Sequence, residues 1–314
     1  MIKLDKINTS SFILGGAAFS GEGGGYGFGP VEEKQMEKVI FEARENGVAA
    51  IDLAPIYGFG EAEKKVGKII QGQRDQFFLA SKSGVSWHSS KRVNMTNDPI
   101  IARKMLEQSL KDLKTDYLDA YFIHWPDKNV DIRRPLEVLQ KQKDQGKINY
   151  IGLCNTNEAD LILASEVTEI SILQSEYNLF KNGFNEDLKK YILKNNISCW
   201  GWGTFDKGII SGSVAEKTKF DSSDCRSWAP WWKKSDKDQK IKKMEKVFAK
   251  LPEGKKSGVQ LALYYVDQSP FKLNPIIGIK KIDQLKDIFQ SYKNRYELDK
   301  IYPEIMEKFF NDGK

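Results

Sequence analysis

The sequence has few cysteines and histidines and no long apolar segment. It contains 3 cysteines, Cys154, Cys199 and Cys225, and 2 histidines among 314 residues. The odd cysteine count and the lack of paired spacing argue against disulfides and structural zinc, and favour a reducing compartment. No apolar run approaches the roughly 18 residues of a membrane span, and the first residues lack the apolar stretch of a secretion signal. We therefore expect a cytoplasmic protein that uses neither a membrane nor a metal.

The composition is that of a globular protein with a mild basic excess. It is 40% apolar and 29% charged, with a net charge of +6. The densest basic stretch covers residues 233–256, where Ile241, Met244 and Leu251 recur at helical spacing. A nucleic-acid surface is one interpretation of these lysines, but no aromatic residues interleave with them on that face. An amphipathic helix with a solvated basic face is the preferred interpretation, so no nucleic-acid partner is predicted.

Short apolar runs alternate with helical patterns along the whole chain, which indicates repeated strand–helix units. The eight candidate strands are residues 12–19, 49–53, 77–81, 118–123, 150–153, 172–174, 197–200 and 275–277. The clearest helix begins at Asp98-Pro99, where a capping residue precedes a proline at the first helical position. No composition break marks a domain boundary. We predict an α/β fold, a single (β/α)8 barrel over residues 1–314, with long rim loops after strands 1 and 7 at residues 21–30 and about 211–254.

The glycine-rich loop at residues 21–30 does not have the spacing of a Rossmann dinucleotide fold. That pattern needs glycines at positions i, i+2 and i+5, followed at once by a helix. In this loop the last position falls on Tyr26, Phe28 or Pro30. If the protein binds a nicotinamide cofactor, it does so by other means.

Four side chains able to carry out carbonyl reduction lie at or just past the ends of three consecutive predicted strands. They are Asp52, Tyr57, Lys82 and His124. Because neighbouring strands of a closed parallel barrel end on one rim, these residues can meet in one pocket. Carbonyl reduction needs a hydride on carbon and a proton on the developing alkoxide, and the four side chains together can manage the proton.

A tyrosine hydroxyl, with an ordinary pKa near ~10, is a poor proton donor unless a nearby cation favours its ionised form. Lys82 can supply that cation to Tyr57. Asp52 can keep the lysine charged, because a buried ammonium without a partner tends to lose its proton. His124 can donate a hydrogen bond to the carbonyl oxygen and orient it. Each residue alone also has a structural interpretation, as a cap or a packed side chain, but their joint placement favours the chemical one.

The segments around these residues resemble the aldo-keto reductase superfamily. The matching segments are Asp52-Leu-Ala-Pro-Ile-Tyr57-Gly58-Phe-Gly60-Glu-Ala-Glu63, Ser81-Lys82-Ser83, Leu118 to Trp125, Gly146 to Gly152, Gln174 to Leu179, Gly201-Trp202-Gly203 and Ile277-Gly278. The resemblance extends over roughly residues 10 to 291. It implies a (β/α)8 barrel that uses NAD(P)H without a Rossmann fold. It also implies that Tyr57 is the general acid, that Lys82 and Asp52 tune it, and that His124 orients the substrate carbonyl.

The same resemblance implies which residues bind the cofactor. The predicted set is Cys154, Asn155, Gln174, Trp202, Thr204, Lys207, Gly278, Lys280 and Gln284. Trp202 would lie against the nicotinamide ring, while Asn155 and Gln174 would hold its carboxamide. Cys154 stands where a serine is commoner in the family, and a thiol is a weaker hydrogen-bond partner than a hydroxyl.

The choice between NADPH and NADH depends on the segment after the last strand. There Lys280, next to a helix start, is the candidate for binding the 2′-phosphate of NADP. Lys207 is a candidate for the pyrophosphate, with a solvated loop lysine as the equally good alternative. Ile279 offers no hydroxyl to a phosphate. The sequence favours NADPH and keeps NADH as the alternative cofactor.

Aromatic residues on the rim loops are expected to line the substrate pocket. The candidates are Tyr26, Trp87, Trp125 and Trp228, with His88, Asp127, Asp224 and Arg226 as polar neighbours. Aromatic rings can stack on sugar faces or enclose apolar aldehydes, and the polar neighbours favour a sugar or sugar derivative. We expect a reductase of aldehydes or ketones. The alternative is a cofactor-binding sensory or regulatory subunit with little turnover, and the oligomeric state stays open.

Overall fold

The computed structural model describes residues 3–7, 11–21 and 27–311, and eight strands within them form a closed parallel barrel. The strands are β1 Ile13–Gly15, β2 Ala50–Asp52, β3 Phe78–Ser83, β4 Leu118–Ile123, β5 Ile148–Cys154, β6 Ile170–Asn178, β7 Ser198–Trp202 and β8 Leu273–Ile277. Each strand pairs in parallel with the next one along the chain. The pairing of Ile13 with Ile276 closes the ring between β1 and β8. The predicted (β/α)8 barrel is confirmed, and every predicted strand overlaps an observed one.

One helix follows each strand and covers the outside of the barrel. These are α1 Glu33–Glu45, α2 Glu61–Ile69, α3 Pro99–Asp112, α4 Arg133–Asp144, α5 Glu158–Ser165, α6 Glu186–Asn195, α7 Gly258–Asp267 and α8 Ile282–Asn294. Further α-helices are Leu4–Ile7, Pro230–Lys233, Lys237–Phe248 and Tyr302–Asn311. Short 3-10 helices are Gly16–Phe19, Arg74–Gln76, Asp206–Gly208, Cys225–Ser227, Gly254–Ser257 and Arg295–Leu298. Helix α3 begins as predicted, because the Asp98 carboxylate accepts hydrogen bonds from the amides of Ile100 (2.8 Å) and Ile101 (3.1 Å).

Residues along each strand alternate between the barrel interior and the layer under the helices. The interior cluster contains Ile13, Ala50, Phe78, Ala80, Ala120, Phe122, Ile172, Trp200 and Ile276. The Trp200 ring contacts Phe78 and Phe122 at centroid distances of 5.9 and 5.7 Å. These rings fill the interior below the carboxyl ends of the strands, so inward-facing residues beyond them line the rim.

The connections after β1, β3 and β6 differ in detail from the sequence-based expectation. β1 ends at Gly15 rather than at residue 19, because residues Gly16–Phe19 form a 3-10 helix. An antiparallel hairpin of Val85–Trp87 and Val93–Met95 follows β3 and was not predicted. A second short pairing joins Lys181–Asn182 to the end of β6. Residues 22–26 of the glycine-rich loop, including Tyr26, lie outside the described residues.

The long segment after β7 is largely ordered by two helices, Pro230–Lys233 and Lys237–Phe248. In the second helix Ile241 and Met244 are buried, while Lys242 and Lys246 are exposed. The predicted amphipathic helix with a basic solvated face is therefore confirmed. Its apolar side packs in a second core with residues of α7. Among the helices in the described ranges, none combines the length and the hydropathy needed to cross a bilayer.

Candidate active site

Six of the predicted site residues lie on the inward face at or near the carboxyl ends of their strands. Each lies two residues beyond an inward-facing core residue: Asp52 after Ala50, Lys82 after Ala80, His124 after Phe122, Gln174 after Ile172, Trp202 after Trp200 and Gly278 after Ile276. Side chains two residues apart on a strand face the same side of a sheet. The alternation that fills the barrel interior therefore also brings these residues together at one rim.

Lys82 and Asp52 form a buried ion pair at the centre of this rim. The Lys82 Nζ lies 2.7 Å from each carboxylate oxygen of Asp52 and donates a further 2.7 Å hydrogen bond to the carbonyl of Leu53. The lysine and aspartate side chains are only 1% and 4% exposed. Burial by itself lowers the pKa of Lys82, but the Asp52 carboxylate more than reverses this and the net pKa is raised. Lys82 is thus a fixed ammonium with its donors satisfied.

A tight turn after β2 positions Tyr57 beside Lys82. The amide of Tyr57 donates to the carbonyl of Ala54 (3.0 Å), and the amide of Gly60 donates to that of Pro55 (2.7 Å). Gly58 has a φ of +67°, and a Cβ added there would collide with the backbone of the β1 loop, so the turn requires glycine at this position.

The Tyr57 ring lies between the lysine and the histidine. Its centroid is 5.3 Å from the Lys82 Nζ and 6.2 Å from the centre of the His124 ring, which it meets edge-on at 90°. Burial raises the pKa of Tyr57 to about 12, against the opposing effect of the Lys82 charge. At neutral pH the hydroxyl therefore keeps its proton, and Lys82 is the neighbour that limits the rise in its pKa.

His124 is a neutral imidazole beside these two residues. Burial and the nearby Lys82 charge hold its pKa well below the ordinary 6.5. Its backbone is fixed on both sides, since its amide donates to the Ser83 carbonyl (2.9 Å) and its carbonyl accepts from the Asn155 side chain (3.0 Å). A neutral imidazole has one N–H donor and one acceptor nitrogen, which suits a residue that orients a carbonyl oxygen without supplying charge.

A chain of side-chain hydrogen bonds connects the predicted carboxamide-binding residues to the ion pair. The Gln174 Nε2 donates to Asp52 Oδ1 at 2.7 Å, and its Oε1 accepts from the Cys154 thiol at 3.5 Å. The same sulfur accepts from the Asn155 Nδ2 at 3.3 Å, and the Asn155 Oδ1 accepts from the Trp202 indole at 3.1 Å. Burial raises the pKa of Cys154 to about 12, so it stays a thiol. These residues form one oriented polar layer along the rim.

The lysines predicted to bind phosphates have partners within the protein. Lys207 lies 3.2 Å from a Glu176 carboxylate oxygen and 2.9 Å from one of Asp206. Lys280 donates a 2.6 Å hydrogen bond to the carbonyl of Phe28, and burial lowers its pKa. Both lysines therefore lie on the rim, but each is already engaged.

Of the remaining predicted cofactor residues, Gln284 makes side-chain hydrogen bonds within the protein and Thr204 makes none among the described residues. The Gln284 Oε1 accepts from the amides of Lys280 (2.9 Å) and Lys281 (3.1 Å), so it caps helix α8. The Thr204 hydroxyl is buried and has no hydrogen-bond partner among the described residues. An unsatisfied buried hydroxyl is uncommon in folded proteins and is often satisfied by water or a bound group.

The loops after β1 and β7 meet above the rim, a contact that the sequence pattern does not reveal. Phe28 pairs antiparallel with Asp224, and the Cys225 amide donates to the Gly27 carbonyl (2.9 Å). Arg226 holds this contact, with a 2.6 Å ion pair to Asp224 and a 2.6 Å hydrogen bond to the Lys207 carbonyl. Residues 27–28 and 224–226 therefore form a connected strap beside Lys280.

The predicted substrate-pocket aromatics lie on separate rim segments. Trp87, on the hairpin, packs against Phe59 at a centroid distance of 5.3 Å. Trp125 is 38% exposed and lies 6.4 Å from the His124 ring in a nearly parallel arrangement. Trp228 is 46% exposed. The fourth candidate, Tyr26, lies outside the described residues.

Glu63 lies within the first matched motif, but the sequence predicts no role for it. The structure buries it completely, with its carboxylate accepting a 2.7 Å hydrogen bond from the Ser81 hydroxyl. Helical periodicity would have drawn attention to it, because Glu63 is the one charged residue among the buried Ala62, Val66 and Gly67 of α2.

A closed parallel barrel with its polar and charged side chains gathered at the carboxyl rim has the architecture of a barrel enzyme. Comparison with known proteins agrees: residues 11–305 match the Aldo/keto reductase family. The chain is 33% identical over 289 residues to Aldo-keto reductase YhdN of Bacillus subtilis, which covers 91% of this chain and 84% of the relative. It is 27% identical over 272 residues to Aldo-keto reductase yakc [NADP(+)] of Schizosaccharomyces pombe. This match covers 85% of this chain and 80% of the relative.

A solved structure shares both the fold and part of the sequence. The glycerol dehydrogenase AKR11B4 from Gluconobacter oxydans superimposes with a TM-score of 0.72 at 27% identity, covering 92% of this chain and 91% of that one. The chain belongs to the aldo/keto reductase family. It is an oxidoreductase of the kind that couples a nicotinamide cofactor to carbonyl reduction.

Proposed function

We propose that this protein reduces an aldehyde or ketone to an alcohol with NADPH, using Tyr57 as the general acid. The observation that carries the proposal is the buried Lys82–Asp52 ion pair, whose ammonium lies 5.3 Å from the centre of the Tyr57 ring. A charged pair excluded from water is costly to fold. Its position next to the half-buried Tyr57 phenol gives it a chemical use that packing alone does not.

The four residues divide the proton chemistry among them. Tyr57 keeps its proton at neutral pH and donates it to the alkoxide oxygen that forms on the substrate. Lys82 stabilises the tyrosinate that this leaves, and Asp52 keeps Lys82 charged and in place. His124, as a neutral imidazole, donates a hydrogen bond to the carbonyl oxygen.

The rim residues fit a nicotinamide dinucleotide, which supplies the hydride when it is bound. Among the described residues the Thr204 hydroxyl has no hydrogen-bond partner and could bind such a ligand directly. The Asn155 and Gln174 amides are bonded within the protein and would exchange part of these bonds for bonds to the carboxamide. Trp202 would lie against the nicotinamide, and Cys154 would help to hold Gln174 in place. The yakc relative carries NADP(+) in its name, which supports the choice of NADPH over NADH.

The phosphates of the cofactor are assigned to the segment after β8 and to the β7 loop. Lys280 would bind the 2′-phosphate, next to Gly278 and the α8 start that Gln284 caps. Lys207 would reach the pyrophosphate after exchanging one of its carboxylate partners.

The substrate is proposed to be a hydroxylated carbonyl compound such as a sugar or sugar derivative. Trp87, Trp125, Trp228 and Tyr26 are the candidates for its binding surface. The similar Gluconobacter protein is a glycerol dehydrogenase, and glycerol is a polyol, which supports this class. The proposal also includes a cytoplasmic location and a single domain over residues 1–314.

The test is consumption of NADPH, followed by absorbance, with a panel of aromatic aldehydes, ketoses and aldoses, and the reverse reaction with the matching alcohols. The proposal predicts turnover, with hydroxylated carbonyl compounds preferred over apolar ones of equal size. If no compound is turned over in either direction while NADPH fluorescence shows tight binding, the sensory-subunit alternative is correct instead.

A further inference from the structure

A buried carboxyl lies directly behind the catalytic strand and takes no part in the chemistry described above. Glu63 on α2 is completely buried, and its Oε1 accepts a 2.7 Å hydrogen bond from the Ser81 hydroxyl on β3. Ser81 precedes Lys82, so the two side chains project from opposite faces of the barrel wall. Glu63 is therefore bonded to Ser81 on the outer face of β3, and the next residue of the same strand, the catalytic Lys82, faces inward.

Further polar groups surround this carboxyl in an otherwise apolar layer. Tyr121 is the register partner of Ser81 on β4, and Ser109 lies on α3. Among the described residues, the Glu63 Oε2, the Tyr121 hydroxyl and the Ser109 hydroxyl are all buried without a hydrogen-bond partner. A carboxyl is costly to bury. Burial raises the pKa of Glu63 to about 7, with Ser81, Ser109 and Lys82 lowering it and Asp112 raising it.

A backbone hydrogen bond connects the helix that carries Glu63 to Tyr57, the proposed general acid. The amide of Ala62 donates a 3.3 Å hydrogen bond to the carbonyl of Tyr57, so α2 continues the turn that carries the tyrosine. One turn further along the same face of α2, Gly67 lies against the backbone of Asp112 and Leu113 at the end of α3. The Glu63–Ser81 bond thus joins the element that positions Tyr57 to the strand that carries Lys82.

We propose that Glu63 is a positioning residue that, through its bond to Ser81, fixes the Tyr57 hydroxyl at its working separation from the Lys82 ammonium. This inference rests on the roles proposed for Tyr57 and Lys82. When the bond is lost, α2 shifts on β3, Tyr57 moves away from the lysine, and its pKa rises further, because the cation that lowers it is more distant.

The experiment compares Glu63→Leu, Ser81→Ala and the double variant with two others. Glu63→Gln keeps an acceptor oxygen for Ser81, and its amide can donate to the unpaired hydroxyls. Glu61→Gln, on the exposed side of the same helix, is the matched control. For each variant we would measure kcat for reduction, the pH dependence of kcat for alcohol oxidation, and the dissociation constant of NADPH.

The inference predicts that Glu63→Leu and Ser81→Ala each lower kcat by about tenfold to a hundredfold, the effect of a small misplacement of a catalytic group. The double variant loses no more than one single variant, because both remove the same bond. In the oxidation direction, which needs the ionised tyrosine, the rising limb of kcat moves to higher pH. Glu63→Gln and Glu61→Gln keep the wild-type kcat and limb, and NADPH binds equally well throughout.

The inference is overturned if Ser81→Ala has the wild-type kcat and the rising limb of its pH profile does not move. It is also overturned if the loss in kcat of the double variant is the product of the losses of the two single variants. Ser81→Ala removes a single oxygen, so the test stands even if Glu63→Leu does not fold. Failure of the proposed function gives a different result, namely turnover that survives in Tyr57→Phe.

Discussion

The Gln174 side chain donates a 2.7 Å hydrogen bond to Asp52, a residue 122 positions earlier in the chain, and thereby links the predicted cofactor-binding residues to the Lys82–Asp52 ion pair. The Gln174 amide has a fixed orientation, since its oxygen accepts from the Cys154 thiol. Asp52 in turn holds both the lysine and the glutamine with the same oxygen, Oδ1. A single buried carboxylate therefore fixes both the proposed tuning lysine and a predicted cofactor residue.

Gln174→Leu is predicted to lower kcat by about ten- to a hundredfold and also to weaken NADPH binding. The leucine leaves Asp52 without one buried hydrogen bond, a loss worth about 1–3 kcal/mol. Steady-state kinetics and NADPH fluorescence titration measure the two effects separately. Cys154→Ser, which keeps a donor for Gln174, serves as the control and should retain both values. A Gln174→Leu protein with wild-type kcat and only weaker binding would limit Gln174 to the cofactor.

Lys280→Ala is predicted to raise the KM for NADPH by about tenfold to a hundredfold while changing the KM for NADH little. A charge-assisted hydrogen bond to a phosphate is worth about 1.5–3 kcal/mol, and only NADPH carries the 2′-phosphate. The exposed neighbour Lys281, replaced in the same way, is the control and should change neither value. Equal losses for the two cofactors would show that Lys280 acts on something other than the 2′-phosphate.

His124 is predicted to make the protein less stable as the pH falls below about 6.5. Its pKa is lowered by burial, so in this range the unfolded chain binds a proton that the folded chain does not, and acid favours unfolding. In His124→Asn this contribution to the pH dependence is absent. Urea unfolding at pH values above and below this point measures it, with His88→Asn at an exposed position as control. An unchanged pH dependence in His124→Asn would contradict the buried neutral imidazole.

Glu63 is predicted to make the protein less stable as the pH rises, the opposite of the effect of His124. Its pKa is raised to about 7 by burial, so between its ordinary value and 7 the folded state holds the proton more tightly, and stability falls as the pH rises through this window. Glu63→Gln removes the penalty, so it should stabilise the protein more at pH 8 than at pH 5, as thermal unfolding would show. An equal effect at the two pH values would mean that Glu63 does not titrate there.

Much of the site could be predicted from the sequence because it follows from strand periodicity. An aspartate, a lysine and a histidine at the ends of consecutive apolar runs face the same rim once the barrel closes. For the same reason Lys82 was recognisable, since an apolar strand otherwise excludes lysine. The positions of the eight strands followed from the same alternation of apolar runs and helical patterns.

Contacts between distant segments could not be predicted in this way. The bond of Gln174 to Asp52 depends on side-chain orientation across the barrel, and the pairing of Phe28 with Asp224 depends on how two long loops fold over the rim. Helical periodicity places Glu63 on the same face of α2 as Ala62 and Val66. An acidic residue in the first turn of a helix is, however, ordinarily a favourable exposed charge, so the pattern alone does not establish that Glu63 is buried. Only the packing of α2 on β3 shows that it is buried.

The role of Tyr57 is tested most directly by the rate of NADPH consumption in Tyr57→Phe, measured at saturating NADPH with the best carbonyl substrate. The control is Tyr117→Phe, which removes a hydroxyl just before β4, at the opposite end of the barrel. The account predicts that Tyr57→Phe binds NADPH like the wild type and loses turnover by about 10²- to 10⁴-fold, the usual contribution of a general acid, while Tyr117→Phe stays fully active. Turnover in Tyr57→Phe close to that of the control would show that another group supplies the proton.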